Sequence, residues 1–153
     1  MAVEAPISRF KKNNLKMYIV ACVIAAVWFG YDGYLNEKFK TDHTDTNGKP
    51  DSTLYFNQKG APIMLGAAIV LGFFFFAAKD RKIVADDTEL KVPAQDSIAY
   101  SKIESIDRTH FAKKGYFVVN YKDWKDRPAS IKLSDRKWDN LAAVLDHLTA
   151  KIS

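Results

Sequence analysis

A chain of 153 residues with a single cysteine has room for one modest domain, and neither an internal disulfide nor a thiolate metal cluster is open to it. Nearly half its residues are apolar, 48%, yet its mean hydropathy is slightly negative, so the apolar residues are gathered into blocks. The net charge of +5 sits mainly beside those blocks, while residues 83–153 carry 12 cations against 11 anions, a balance that argues against a nucleic-acid footprint.

Residues 1–15 form a basic arm, with Arg9, Lys11 and Lys12 against Glu4. From Lys16 to Leu35 runs "KMYIVACVIAAVWFGYDGYL", about the 20 apolar positions that a helix needs to cross a bilayer. Lys16 marks one end, and Trp28, Tyr31 and Tyr34 mark the other, where amphipathic rings favour the headgroup level. A signal peptide also begins basic and then apolar, but this stretch leaves through aromatic and acidic residues without an A-x-A site, so it is expected to be retained. Cys22 is expected to be a small residue facing lipid or helix. Asp32, at the exit, is expected to be interfacial or a partner contact, although a carboxylate there also raises the question of an ion path.

Residues 36–60 are polar and rich in turn formers, and their charges cancel. His43 between Asp42 and Asp45 is too sparse a set for a metal site. The second block, "APIMLGAAIVLGFFFFAA", spans Ala61 to Ala78 without a charge, and Pro62 suits a first helical turn. Ala21 and Ala25 on the first block, and Gly66, Ala67 and Gly72 on the second, are candidates for close helix–helix packing. The basic cluster Lys79, Arg81 and Lys82 follows directly. With cations outside both spans and a neutral connector, the positive-inside rule puts the N-terminus and residues 79–153 in the cytoplasm and residues 36–60 outside it.

Beyond Ile83 the apolar period falls to two. "TELKV", "SIAYSKIESID", "GYFVVNYKD" and "ASIKLSD" predict strands, separated by turns at "PAQD", "KKGY" and "DWKDRP". Ser134 or Asp135 then offers a cap, and Trp138, Leu141, Leu145, Leu148 and Ile152 repeat at three and four, which predicts one amphipathic helix. The predicted fold class is a membrane helical hairpin joined to a small α+β domain.

That order, with "KIESIDRTHFAKKGYFVVNY" leading through a strand to a terminal helix, resembles the bacterial pleckstrin-homology-like domains found beside transmembrane hairpins. The resemblance covers about residues 83–153. It implies an antiparallel sheet or partial barrel closed by the C-terminal helix, used for protein or lipid contact and not for catalysis. The strands predicted here fall short of that family's seven, which implies an open barrel or pairing with another chain.

No catalytic residue is predicted. Ser105 and Thr109 lie near His110 and Asp107, but strand alternation sends His110 to the side opposite Asp107 and Thr109, and no nucleophile motif is present. No cofactor or metal ligand is predicted, since His43, His110 and His147 all lie outside the two spans. Lys113, Lys114, Lys122, Trp124, Lys125 and Arg127 are candidate lipid-headgroup contacts, with Asp123 and Asp126 interrupting the set. The expected role is a non-catalytic accessory or scaffold subunit of the bacterial inner membrane. It would pack on a larger respiratory, photosynthetic or transport-related complex, with membrane lipids and that complex's subunits as partners and neither nucleic acid nor small-molecule substrate. The alternative is a membrane-tethered lipid- or signal-sensing module; a small channel would need an oligomer.

Overall fold

A computed structural model describes residues 2–152, which divide into two compact units, 13–77 and the remainder on either side of it.

The first unit is helical. Helix α1 (Arg9–Gly30) continues into a π-helical turn, Tyr31–Leu35, closed by the Asn36 N–H on the Tyr31 carbonyl at 2.8 Å. A short helix α2 (Glu37–Asp42) follows, its first turn capped by the Asn36 side chain. Helix α3 (Ser52–Ala78) begins where the Asp51 carboxylate accepts the Thr53 and Leu54 N–H groups, both at 2.9 Å. The second apolar block is therefore only the later two-thirds of a 27-residue helix. This corrects two expectations. The connector is shorter than 36–60, and Pro62 lies inside the helix, beyond its first turn. Both α1 with its π-turn and α3 are long and apolar enough to cross a membrane.

On α3 the more covered positions include Leu54, Asn57, Ala61, Met64, Ala68 and Leu71, and on α1 and its π-turn Leu15, Ile19, Cys22, Ala26, Phe29 and Gly33. Spacings alternate between three and four on both, the period of antiparallel helices meeting along a narrow seam.

The second unit is a sheet domain. Its strands are β1 (Val3–Pro6), β2 (Lys82–Ala85), β3 (Glu89–Lys91), β4 (Ile98–Ala99), β5 (Ile103–Asp107), β6 (Tyr116–Lys122) and β7 (Pro128–Ser134). They form two antiparallel sheets, β1-β2-β3-β4 and β5-β6-β7. A single-turn helix α4 (Phe111–Lys114) precedes β6, and α5 (Leu141–Ile152) closes the chain.

The basic arm is thus not free. Val3, Ala5 and Ile7 alternate with polar residues, and β1 pairs with β2 in the register Val3↔Ala85 to Pro6↔Lys82. Pro6 is tolerated because β1 is an edge strand. The strand count also changes, because β1 and β2 add to those expected and "SIAYSKIESID" splits at a 3-10 turn, Tyr100–Lys102, into β4 and β5 of different sheets. Among the described residues there are seven strands, and the expected shortfall disappears.

One core joins both sheets and α5. Ile83, Leu90, Phe117, Leu133, Val144 and Leu148 are its largest fully enclosed apolar side chains, with Val119. Each such burial stabilises by about 1.5–3 kcal/mol before entropy is subtracted. Trp138 is in this core but outside the helix. It bridges Ile7 ahead of α5, and Val144 fills the stripe in its place.

Candidate functional site

The hairpin's closest approach is built on glycine. A methyl group on Gly33 would sit 3.0 Å from the Gln58 nitrogen and 3.2 Å from the Asn57 carbonyl carbon, both backbone atoms that cannot yield. One on Gly60 would meet the Phe29 ring at 3.0 Å. Gly30 lies in ordinary contact range of Ala61. The Phe29 ring in turn meets Phe56 edge-on, with centroids 5.4 Å apart.

Polar groups tie the same region. Pro62 has no N–H for the carbonyl four residues earlier, that of Gln58. The Tyr34 hydroxyl donates to that carbonyl at 2.7 Å, and the Gln58 amide donates to the Gly33 carbonyl at 3.1 Å. Proline and tyrosine therefore work as a pair, one freeing an acceptor and the other occupying it. Asp32, the carboxylate weighed for an ion path, accepts from the Asn36 amide at 2.9 Å.

The sequence-based packing candidates fall beside this seam. Ala25 and Ala67 are half-buried, Ala21 and Gly66 are exposed, and a methyl group on Gly66 or Gly72 would meet nothing within 4 Å. Within the hairpin, close packing instead uses Gly33, Gly60, Ala61 and Ala68. Helix register decides which small residues face inward, and that register starts from Ser52, nine residues before the apolar block.

The six candidate headgroup residues do not form one surface. Strand β6 separates them, with Lys113 and Lys114 before it, Lys122 at its far end and Trp124, Lys125 and Arg127 beyond, about 20 Å apart at 3.3 Å per residue. In the far group the cations have protein partners. Arg127 grips Asp123 through two nitrogens at 2.8 and 2.9 Å, and Lys122 faces Glu104 at 3.6 Å. Asp123 also accepts the Lys125 and Arg127 N–H groups, which hold its carboxyl below the usual range. Trp124 stays 70% exposed, with the Lys125 ammonium 4.3 Å over its ring. Between this hairpin and residues 94–97 lies an open cleft of about 580 Å³, whose lining includes Asp96, Lys102, Tyr121 and Trp124. Lys102 reaches the Asp123 carbonyl at 3.2 Å and the Asp126 carboxylate at 3.6 Å.

The remaining polar candidates serve the fold. Asp107 accepts the Thr109 N–H at 2.9 Å, Ser105 accepts the Asn120 amide at 3.0 Å, and the His110 ring lies against Tyr116. His43 pairs with Asp51 at 2.8 Å, next to the cap of α3, and not with Asp42 or Asp45. His147 and the Tyr100 hydroxyl both reach the Asp86 carbonyl, at 2.8 and 2.7 Å, fastening the turn after β2 to α5 and to the 3-10 turn at Tyr100–Lys102. Burial and the carboxylates Asp86, Asp87 and Glu89 push the Tyr100 hydroxyl up to about 12, so it stays a donor.

The molecule is a helical hairpin joined to an antiparallel α+β domain closed by a C-terminal helix. Compared with known proteins, the chain matches no family model, no curated protein and no solved structure.

Proposed function

We propose that the chain is a non-catalytic accessory subunit of a membrane complex, with α1 and α3 crossing the bilayer of the bacterial inner membrane and the sheet domain in the cytoplasm. The observation that carries this reading is the outward face of the hairpin. Val27, Trp28, Ile63, Phe73, Phe74 and Phe76 are all more than half exposed, although the two helices already meet through Gly33, Gly60 and Ala61. Such a surface in water would be an aggregation site, whereas lipid or a partner's helix covers it without penalty.

The pairing of β1 with β2 supports the topology independently of charge. The chain enters α1 just after β1 and leaves α3 just before β2, and both strands belong to one sheet. Two crossings return the chain to the side it started from, and an odd number would not. The seven strands in two sheets with a closing helix support the pleckstrin-homology-like reading of the domain, and with it a binding role.

Purification from native membranes in mild detergent tests the proposal. Stoichiometric co-purifying subunits are expected, and recovery as a lone monomer would overturn the accessory role. Topology is checked by placing a cysteine at exposed Asn47 in a Cys22→Ala background, where an impermeant thiol reagent should label intact cells.

The open cleft beside Trp124 favours one second reading, a tethered sensing module. On that reading the full chain alone, without partner subunits, would recruit a ligand that quenches Trp124, and Trp124→Ala would abolish recruitment.

A further inference from the structure

The end of the sheet domain that holds residues 7–12 gathers cations from three separate stretches of chain. The Ile7 N–H donates to the Arg81 carbonyl at 3.0 Å, and the Ser8 N–H to the Lys137 carbonyl at 2.9 Å. The buried Ser8 hydroxyl donates to the Arg136 carbonyl at 2.5 Å and accepts the Lys11 N–H at 3.1 Å. These bonds bring residues 7–12, 81 and 136–137 together, close enough for the Lys11 ammonium to feel repulsion from both Lys137 and Arg81.

Two nearby carboxylates have partners outside this cluster of side chains, while Asp80 and Asp135 adjoin Arg81 and Arg136 in sequence. Glu4 pairs with Lys82 at 2.6 Å, and Asp139 accepts the Arg9 N–H at 3.0 Å. Among the described residues Lys11, Lys12, Arg136 and Lys137 form no ion pair; the Lys137 ammonium lies 5.4 Å over the Trp138 ring. Like charges held together this way favour a polyanion. The flanking cations that the sequence assigned to the edges of two spans are thus part of the folded domain, joined there by Arg136 and Lys137.

We propose that Lys11, Lys12, Arg136 and Lys137, with Arg81 beside them, bind the phosphates of anionic phospholipid headgroups. In this way the turn between β7 and α5 anchors the sheet domain to the leaflet. The inference rests on the two-span reading above, which puts the start of α1 and the end of α3 at headgroup depth. A phosphate is the anion these side chains meet there. The Asp135 N–H on the Gly115 carbonyl, at 2.8 Å, brings Lys113 and Lys114 to the same end of the sheet, while Lys122–Arg127 lie at the other.

The test uses the full chain in detergent, titrated with short-chain phosphatidylglycerol, with phosphatidylcholine and with inorganic phosphate, and read by native mass spectrometry. Phosphatidylglycerol should bind in preference to phosphatidylcholine, and inorganic phosphate should not displace it. R136Q/K137Q should weaken phosphatidylglycerol binding about 25-fold, at about fivefold per cation removed. K11Q/K12Q should act similarly, K125Q/R127Q should change nothing, and an unchanged far-ultraviolet circular dichroism spectrum would show the variants folded. Equal phosphatidylglycerol binding by wild type and R136Q/K137Q would overturn the proposal, as would loss of an acidic partner protein with lipid binding unchanged. Carbonate extraction separates the two levels. A chain released by carbonate sinks the two-span reading and this site together, whereas a resistant chain without lipid preference sinks this site alone.

Discussion

The hairpin and the sheet domain bury opposite kinds of residue. In the domain, Phe117, Leu133 and Leu148 are enclosed almost completely, and charged side chains face out. In the hairpin, Gly33, Gly60, Ala61 and Ala68 are inside, while Phe73 is 73% exposed and Trp28 67%. The domain's distribution is set by water, which drives large apolar surface inward. The hairpin's distribution fits the proposed two-span reading, in which the surrounding phase is as apolar as its own side chains and close backbone approach, not apolar burial, holds helices together. One chain thus carries two solvent preferences, and like substitutions should behave oppositely in the two regions.

The largest contrast is between phenylalanines. Phe117→Ala empties a filled core site and should cost the domain about 3–5 kcal/mol, read by denaturant unfolding monitored through Trp138. Phe73→Ala removes a ring of similar size from an outward face and should leave the melting temperature in detergent nearly unchanged. Equal losses would mean that the hairpin is folded like a soluble core. Deleting residues 2–8 should exceed either, because it strips β2 of one of its two partner strands and Trp138 of Ile7.

The next contrast is among glycines. Gly33→Leu forces a side chain into the Gln58 backbone and should cost about 1–3 kcal/mol of hairpin stability. Gly66→Ala, in open space on the same hairpin, should stabilise it by up to about 1 kcal/mol through helix propensity. Thermal unfolding of the two variants in one detergent compares them directly. A destabilised Gly66→Ala would show that this position meets a second copy.

What the sequence made legible follows the same division. Long apolar runs announced both helices, because length and composition suffice there. Their ends did not, since Asn57, Gln58 and Lys59 hide the first turns of α3 from hydropathy, although Asp51 before "STL" is a cap signal. In the domain, strands with local period two, β6 and β7, were readable, and β1 was not. Val3, Ala5 and Ile7 alternate, but the partner that makes them a strand lies beyond the entire hairpin. Trp138 fits a helical spacing by coincidence, and its true contact with Ile7 is equally remote. The basic site was half visible for this reason. Arg9 to Lys12 and Lys79 to Lys82 stood out as flanking charge, while Arg136 and Lys137 join them only through the bonds to Ser8.

A smaller effect tests the Pro62–Tyr34 pair. Tyr34→Phe leaves the Gln58 carbonyl without its donor and should cost about 1 kcal/mol. In a Pro62→Ala background the backbone N–H regained at that position takes the same acceptor, so the Tyr34→Phe change should cost measurably less. A double-mutant cycle reads the difference. Additive effects would mean that the tyrosine acts only through its ring.

The smallest effect expected is on acid sensitivity, and it belongs to the domain. Asp86 accepts the Thr88 and Glu89 N–H groups at 2.9 and 2.8 Å and the Lys91 ammonium at 3.0 Å. Those bonds, the two backbone ones first, hold its carboxyl well below its ordinary value of 3.8. A carboxylate depressed on folding contributes stability above its unfolded value and loses it as the pH falls toward the folded one. The domain should therefore be indifferent to pH near neutrality and weaken progressively below about pH 4. Asp86→Asn keeps an acceptor for both N–H groups but removes the proton uptake, so its stability should be lower at neutral pH and fall less steeply with acid. Asp107 and Asp123, lowered in the same direction, leave a residual slope. An Asp86→Asn variant that acidifies in parallel with wild type would show that the turn after β2 draws nothing from this charge. The turn would then be held by the Tyr100 and His147 bonds to the Asp86 carbonyl and by the Lys151–Asp87 ion pair.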